Sequence, residues 1–488
     1  MANRQSFKTD VSFLEKISIG ATGTKKVFDD LKRQTHAPIE LERGSMSFKI
    51  WKGIKIKRVR VPDILCVKCG KRVESRAKTK LQITMSHSIA SPERGWDFGL
   101  NDEDFIALVS CKKAGEDPTD WKASDLVQYI QVNYLRKVFR DKKVITERPK
   151  GVEEGFETRI SWPCAVASCD GTVVEINNRI KFKRTEDNRT ISLSLKKKNI
   201  TIKPIVTVNG VVKQDQIIAS VVPVIQDFKC LGGRGASDYQ KMLKSTSLSE
   251  RYAAAKALSY FPKDLQVIKS LLEKMGDSKD HIYIRLEAAS SILKLGQKES
   301  IDFFKEVLRD TYLENRLEGV IILGEINSSY SAELLIRVLL DKEQHPEIRA
   351  GAAWALGELK NKEALQALVT VFDDINIDVR SESARSLFRL AEIYSKEIIG
   401  LFPKGSEDVR AGISWALSKS GNFSVKDLSS VMNDENSRKW VAWIIGSQKQ
   451  EKFITQIEEL KQKDKEVYFA VTVLWKILSS WVSDLDIY

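Results

Sequence analysis

Two carboxylates stand out in a strongly basic stretch of the sequence. Residues 52–80 contain eleven Lys and Arg residues but only two acids, Asp63 and Glu74. Glu74 is followed at alternate positions by Arg76 and Lys78, and alternate side chains of a strand share one face. A strand that carries so much positive charge is typical of a surface that faces an anion. The stretch therefore predicts a phosphate-facing surface with two acids available for chemistry.

The order of elements around these acids is a helix, strands, Pro-Asp, a short connection and Glu-x-Arg, and it resembles the PD-(D/E)xK nuclease fold. In that family two acids hold Mg²⁺, and a Lys two residues after the second acid orients or deprotonates the attacking water. The cation polarises the phosphoryl group and generates hydroxide at neutral pH. The resemblance implies that Asp63 and Glu74 are the magnesium ligands.

The family's Lys position is Arg76 in this sequence, and Arg cannot act as a base. Either Lys78, on the same strand face, takes over the role, or catalysis is lost. The resemblance would then give the catalytic set Asp63, Glu74, Arg76 and Lys78. The alternative is a surface strand with two solvated acids.

A C-x-x-C pair followed by Gly predicts half of a zinc knuckle, because two thiolates at this spacing can wrap one metal. A second, more widely spaced pair can complete a closed, structural zinc site of four thiolates: Cys66, Cys69, Cys164 and Cys169. Rival ligands are Cys111 and His87. The alternative is that all of them are ordinary reduced cysteines.

The excess of positive charge lies in the first half of the chain. Residues 1–240 contain 44 Lys and Arg against 29 Asp and Glu, within a total net charge of +13. This asymmetry predicts a nucleic-acid partner, DNA more than RNA. The predicted phosphate contacts are Lys52, Lys55, Lys57, Arg58, Arg60, Lys71, Arg72 and Lys80.

The second half of the chain repeats. An Arg followed by a helix of small residues recurs every 28–34 residues, at Arg251, Arg285, Arg316, Arg349, Arg380, Arg410 and Arg438. A single helix pair cannot bury its own apolar face, so such units must stack. The pattern resembles the HEAT-repeat family, in the short form of the phycobilin lyases. It implies an α-solenoid of about eight repeats.

Aromatic residues share one position of this repeat, five residues after the Arg. Trp354, Trp415 and Trp443 occupy it, and Arg385 takes it in the intervening unit. If the position points outward, these residues form a ladder that can anchor a protein partner. The alternative is that the indoles pack between adjacent repeats.

These elements predict a multidomain protein. We expect an α+β nuclease-like domain at 1–154 with helices near 24–34 and 124–140, a small all-β domain at 155–230, and an all-α HEAT-repeat solenoid at 238–488. The β-rich domain resembles barrel-sandwich hybrid domains. The sequence shows no long apolar run, no secretory leader and only six cysteines, so we expect a cytoplasmic protein without a membrane partner.

Three functions fit these features. The first is a divalent-metal-dependent DNA nuclease whose HEAT repeats bind a protein partner, a pairing that resembles bacterial restriction and antiphage-defence proteins. The second is a non-catalytic DNA-binding scaffold derived from a nuclease. The third is a protein-interaction adaptor. Motifs of other enzyme classes, such as GxxxxGK[ST], GxSxG and HExxH, are absent from the sequence.

Overall fold

The computed structural model describes residues 10–47, 51, 53–88, 91–147, 157–262, 264–428, 431, 434–447 and 471. Its contacts divide the chain into two compact units, residues 1–50 with 58–270 and residues 51–57 with 271–488. The order is mixed α+β followed by all-α, as the sequence predicts. The finer division into three domains stays a prediction.

The first unit contains four helices and seventeen strands among its described residues. The helices are α1 (Asp10–Arg33), α2 (Val132–Arg140), α3 (Ala236–Met242) and α4 (Leu248–Leu258). The strands are β1 (Pro38–Glu40), β2 (Ile64–Cys66), β3 (Arg72–Lys78), β4 (Ile83–Ser88), β5 (Phe105–Lys113), β6 (Trp121–Gln131), β7 (Ile145–Glu147), β8 (Glu157–Trp162), β9 (Cys164–Val166), β10 (Gly171–Ile176), β11 (Arg179–Arg184), β12 (Thr190–Ser194), β13 (Lys196–Lys197), β14 (Ile200–Thr201), β15 (Lys203–Pro204), β16 (Val211–Val212) and β17 (Ile217–Ser220).

A mixed sheet in the order β1-β2-β3-β5-β6 forms the centre of this unit. Strands β1, β2 and β3 are antiparallel neighbours, whereas β5 runs parallel to β3 and pairs antiparallel with β6. Helix α1 packs on one face through Val27 and Leu31. A Cβ at Gly23 would lie 2.5 Å from the Cβ of Ala77, so glycine permits α1 to lie close to β3.

The opposite face of the sheet carries a second apolar core, which includes Trp96, Leu135 and Trp162. The expected helix over 124–140 is wrong in its first half, because residues up to Gln131 pair with β5 as strand β6 and only α2 is helical. Since β6 is buried on both faces near its end, its pattern does not alternate.

The β-rich region contains two small sheets, β12-β11-β10-β16 and β15-β17-β9, and a hairpin of β13 and β14. They enclose a separate core that includes Val173, Phe182 and Ile218. The region expected to be all-β therefore does contain strands, among them β10, β11 and β12. The resemblance to barrel-sandwich domains stays a prediction.

The second unit is helical. Helix α5 (Leu265–Gly276) contains the boundary between the units. The following helices are α6 (Ile282–Lys294), α7 (Ile301–Val307), α8 (Leu313–Gly324), α9 (Ser329–Leu340), α10 (Pro346–Leu359), α11 (Ala364–Thr370), α12 (Ile377–Ile399), α13 (Glu407–Ser420), α14 (Val425–Leu428) and α15 (Glu435–Gly446).

The recurring Arg residues have a structural role in this unit. Arg285 Nε donates to the carbonyl of Met275 at 2.9 Å, and Arg349 Nε donates to the carbonyl of Leu339 at 2.9 Å. Each guanidinium thus satisfies a backbone acceptor near the end of the preceding helix, which has no partner within that helix. This contact gives the recurring Arg a structural role in at least these two repeats.

None of the helices in the described part of the chain combines the length and the apolar composition that a membrane span requires.

Candidate functional site

Asp63 lies immediately before β2 and is only 7% exposed. Its Oδ2 accepts a hydrogen bond from the Ser75 N–H on β3 at 2.7 Å. Its backbone carbonyl accepts from the N–H groups of Leu41 and Glu42, at 2.6 and 3.2 Å. Asp63 is therefore fixed between β3 and the chain that follows β1.

Glu74 lies on β3, and its Oε1 pairs with Arg76 Nη2 at 2.9 Å. Lys78 is oriented differently: its Nζ donates to the Thr84 carbonyl at 2.7 Å. Burial, followed by the charges of Arg76 and Arg159, lowers the pKa of Lys78 to about 8. The predicted catalytic set is thus divided, because Arg76 pairs with Glu74 whereas Lys78 donates to the Thr84 carbonyl.

A third carboxylate, Glu42, joins the two predicted acids. Glu42 and Glu74 line the same small pocket, together with Arg60 and Arg76. Burial raises the pKa of Glu42 to about 7, and the charge of Glu74 adds to the rise. Burial also raises the pKa of Asp63, reinforced by Glu74 and then by Glu42. Sequence reasoning missed Glu42 because it precedes the basic stretch and belongs to no spacing motif.

These acids offer the type of oxygen ligand that a hard divalent cation takes, but Glu42, Asp63 and Glu74 do not form a group whose ligand atoms all lie within 4.8 Å of one another. Carboxylate oxygens are the ligands that Mg²⁺ prefers. The neighbouring negative charges that help to raise the pKa values of Glu42 and Asp63 repel, and a bound dication would relieve that repulsion. Asp63 and Glu74 are the acids that would hold it.

The raised pKa of Glu42 predicts a pH-dependent stability. A carboxyl whose folded pKa lies above its unfolded value stabilises the fold below the unfolded pKa, and this contribution is lost as pH rises through about 7. We expect Glu42→Gln to match wild type in unfolding midpoint near pH 5 and to exceed it by several degrees near pH 8. Thermal denaturation of both proteins in metal-free buffer measures the difference.

Glu103→Gln is the matched control, since Glu103 is an exposed acid that pairs with Lys71 at 3.4 Å. If the difference in unfolding midpoint between Glu42→Gln and wild type stays the same from pH 5 to pH 8, the Glu42 carboxyl is already ionised at pH 5.

The predicted phosphate contacts are only partly available. The charges of Arg58 and Arg60 act on Glu42, and Lys80 is exposed. The prediction for Arg72 is corrected, because its side chain is 3% exposed and is ion-paired with Asp104. Lys71 pairs with Glu103, Lys55 and Lys57 belong to the second unit, and Lys52 lies outside the described residues.

A second cluster forms at the end of β2. The ligand atoms of His36, Cys66, Cys69 and Cys230 all lie within 4.8 Å of one another. A hydrogen bond with the Cys69 thiol lowers the pKa of Cys66 to about 3. The two thiols of the C-x-x-C pair thus lie beside two further possible ligands, His36 and Cys230. The sequence did not indicate them, because no spacing motif links either residue to the pair.

The other predicted thiol ligands lie apart from this cluster. Cys164 lies on β9 in the β-rich region, where burial raises its pKa. Cys169 packs against the apolar core of the same region. The two alternative ligands also lie outside the cluster: Cys111 is buried in the core beneath α1, and His87 contacts Phe139. The four-cysteine set is therefore corrected: pairing of β9 with β17 holds Cys164 in another sheet, and Cys169 lies between β9 and β10.

The ladder residues of the second unit lie on successive repeat helices. Trp415 and Trp443 are each 36% exposed, and the Arg385 side chain is 63% exposed. Arg385 and Trp415 line one groove of about 450 Å³. Trp354 is partly buried, so the face is accessible at three of its four positions.

The segment 51–57 covers part of this face. Trp51 meets Trp354 edge-to-face, with ring centroids 5.7 Å apart. The Glu347 carboxylate accepts from the N–H groups of Gly53 and Ile54, at 3.0 and 2.8 Å. The second unit thus already holds one extended segment beside a ladder residue.

Comparisons with known proteins identify the repeats. A family model described as HEAT repeats matches residues 307–387. No curated protein matches the chain. The complex of CpcE and CpcF of phycocyanin lyase from Nostoc sp. PCC7120 is 17% identical over 52% of this chain and 100% of that one, with a TM-score of 0.27. Human deoxyhypusine hydroxylase is 16% identical over 51% and 86%, with a TM-score of 0.19.

A designed armadillo repeat protein is 14% identical over 44% of this chain and 99% of that one, with a TM-score of 0.24. The family match confirms the predicted HEAT repeats. HEAT repeats stack into extended surfaces that bind proteins. The second unit therefore contains HEAT repeats over residues 307–387.

Proposed function

We propose that the first unit is a divalent-metal-dependent nuclease that acts on DNA, and that the second unit binds a protein partner. The observation that carries the first part is that the charge of Glu74 acts on both Asp63 and Glu42, in a region where Glu42 and Glu74 line a pocket with Arg60 and Arg76. The order of α1, three antiparallel strands and a parallel β5 supports the resemblance to PD-(D/E)xK nucleases. A role in bacterial antiviral defence rests on that resemblance.

In this proposal the residues of the first unit have different roles. Asp63 and Glu74 supply the carboxylates for the cation, and Asp63 is pre-oriented by its bond from the Ser75 N–H. A bound Mg²⁺ supplies Lewis-acid polarisation of the phosphoryl oxygen and acidifies water. Arg76 provides a fixed positive charge for a phosphate oxygen.

Glu42 replaces the family's lysine as proton acceptor. A base works best when its pKa lies near the operating pH, and burial raises the pKa of Glu42 in the metal-free protein to about 7. Lys78 does not fill this role, because its Nζ is bonded to the Thr84 carbonyl.

Purified wild-type protein is expected to nick supercoiled plasmid in Mg²⁺ or Mn²⁺ and to be inactive in excess EDTA. Duplex affinity should fall about a hundredfold between roughly 50 and 200 mM salt if about four phosphates are contacted. Agarose gels and fluorescence anisotropy measure the two quantities.

The outcomes separate the three functions. Duplex binding without cleavage in any divalent metal would favour a non-catalytic DNA-binding scaffold. Binding to DNA no tighter than to an acidic polypeptide would favour a protein-interaction adaptor.

Protein binding by the second unit is supported by the exposed ladder positions Arg385, Trp415 and Trp443. Exposed Trp and Arg side chains are common anchors of protein interfaces. The segment 51–57 supports recognition of an extended chain, since it offers one aromatic ring to Trp354 and two backbone donors to Glu347.

A further inference from the structure

We propose that His36, Cys66, Cys69 and Cys230 bind one structural Zn²⁺ ion. The four residues come from three separate parts of the first unit: the chain after α1, the β2–β3 turn and the segment that leads to α3. The site is distinct from the carboxylate cluster and does not depend on the proposed nuclease activity.

The distances between the donor atoms match a tetrahedral ion. With Zn–S bonds of about 2.3 Å and Zn–N bonds of about 2.0 Å, a tetrahedron requires about 3.8 Å between two sulfurs and about 3.5 Å between sulfur and nitrogen. The Sγ atoms of Cys66 and Cys230 are 3.8 Å apart. Cys69 Sγ lies 3.5 Å from His36 Nδ1.

The surroundings orient the ligands. His36 Nε2 lies 2.6 Å from the Phe228 carbonyl; because a carbonyl only accepts, Nε2 carries the proton and Nδ1 is left with a free lone pair. Metal-binding histidines commonly have such a partner. The Ala37 N–H donates to Cys66 Sγ at 3.4 Å, as backbone amides do toward bound thiolates.

The turn between the two cysteines is built to bring them together. The Gly70 N–H donates to the Cys66 carbonyl at 2.8 Å. Gly70 has φ of +72°, a conformation that glycine adopts without strain. The turn therefore holds both thiols on one side of the chain.

The chemistry of the donor set selects the metal. Three sulfurs and one imidazole suit zinc and not Mg²⁺ or Ca²⁺. Four protein ligands leave no open position, so the ion is structural. A disulfide between Cys66 and Cys230 is not formed, since a sulfur–sulfur bond is about 2.05 Å long.

The test is the metal content of the purified full-length protein, prepared without a polyhistidine tag. Mass spectrometry of metals should find about one zinc per chain in wild type and below about 0.1 in Cys230→Ser. The matched control is Cys169→Ser, which changes a partly buried cysteine outside the cluster and should retain about one zinc.

Two further measurements test the proposal even if Cys230→Ser fails to fold. Cobalt substituted into wild type should give the intense visible bands of a tetrahedral site and thiolate charge-transfer absorption in the near ultraviolet. Cys230→His keeps four ligands, so it should still bind one metal with weaker charge-transfer absorption. Wild type with no metal, with iron instead of zinc, or with zinc that is lost in Cys169→Ser but kept in Cys230→Ser would overturn the proposal.

Discussion

Glu74→Gln is expected to lower the rate of metal-dependent DNA cleavage by about a thousandfold, equivalent to about 4 kcal/mol of transition-state stabilisation. The amide keeps the shape of the side chain but removes the charge that would hold the cation. Because a negative charge is lost beside Arg60 and Arg76, DNA binding should stay equal or become tighter. Single-turnover cleavage and anisotropy on the same preparation measure both effects.

Cleavage that falls while DNA binding is kept distinguishes loss of chemistry from loss of folding. A misfolded variant would lose binding and cleavage together. Glu103→Gln serves as the control, since it removes an exposed acid that pairs only with Lys71 and Gln131 among its described partners. Cleavage by Glu74→Gln at the wild-type rate would remove Glu74 from the site.

Local sequence patterns predicted the two acids Asp63 and Glu74 as site residues but did not predict the third carboxylate, Glu42. Asp63 and Glu74 are close because β2 and β3 form a hairpin. The connection between these strands is short, so the hairpin can be predicted from the sequence. Glu42 reaches them because its N–H and that of Leu41 bond to the Asp63 carbonyl. That contact depends on the pairing of β1 with β2 across a long insertion, which no spacing in the sequence encodes.

The same limit explains the thiol cluster. The C-x-x-C pair is a local motif, so it could be recognised from its spacing. His36 and Cys230 approach it through the fold of the whole first unit, and the sequence gives equal reason to choose Cys164 and Cys169. The HEAT repeats were predictable for the opposite reason: each repeat contacts its neighbours, so its Arg and small residues recur at a regular interval.

Asp104→Ala is expected to destabilise the protein by about 3–5 kcal/mol. Asp104 and Arg72 form a two-bond ion pair, with Nε–Oδ1 at 2.9 Å and Nη2–Oδ2 at 2.5 Å. Their side chains are 5% and 3% exposed. Removing the carboxylate leaves a buried guanidinium without its counter-charge, which costs far more than the pair itself contributes.

Urea denaturation of the full-length protein measures the loss, and the double variant Arg72→Met/Asp104→Leu isolates its cause. Apolar side chains of similar volume leave no unpaired charge, so the double variant should recover most of the stability lost in Asp104→Ala. Glu103→Ala changes the neighbouring exposed acid and should alter stability by less than about 0.5 kcal/mol. A double variant less stable than Asp104→Ala would show that the ion pair stabilises the fold through its bonds and not merely by avoiding an unpaired charge.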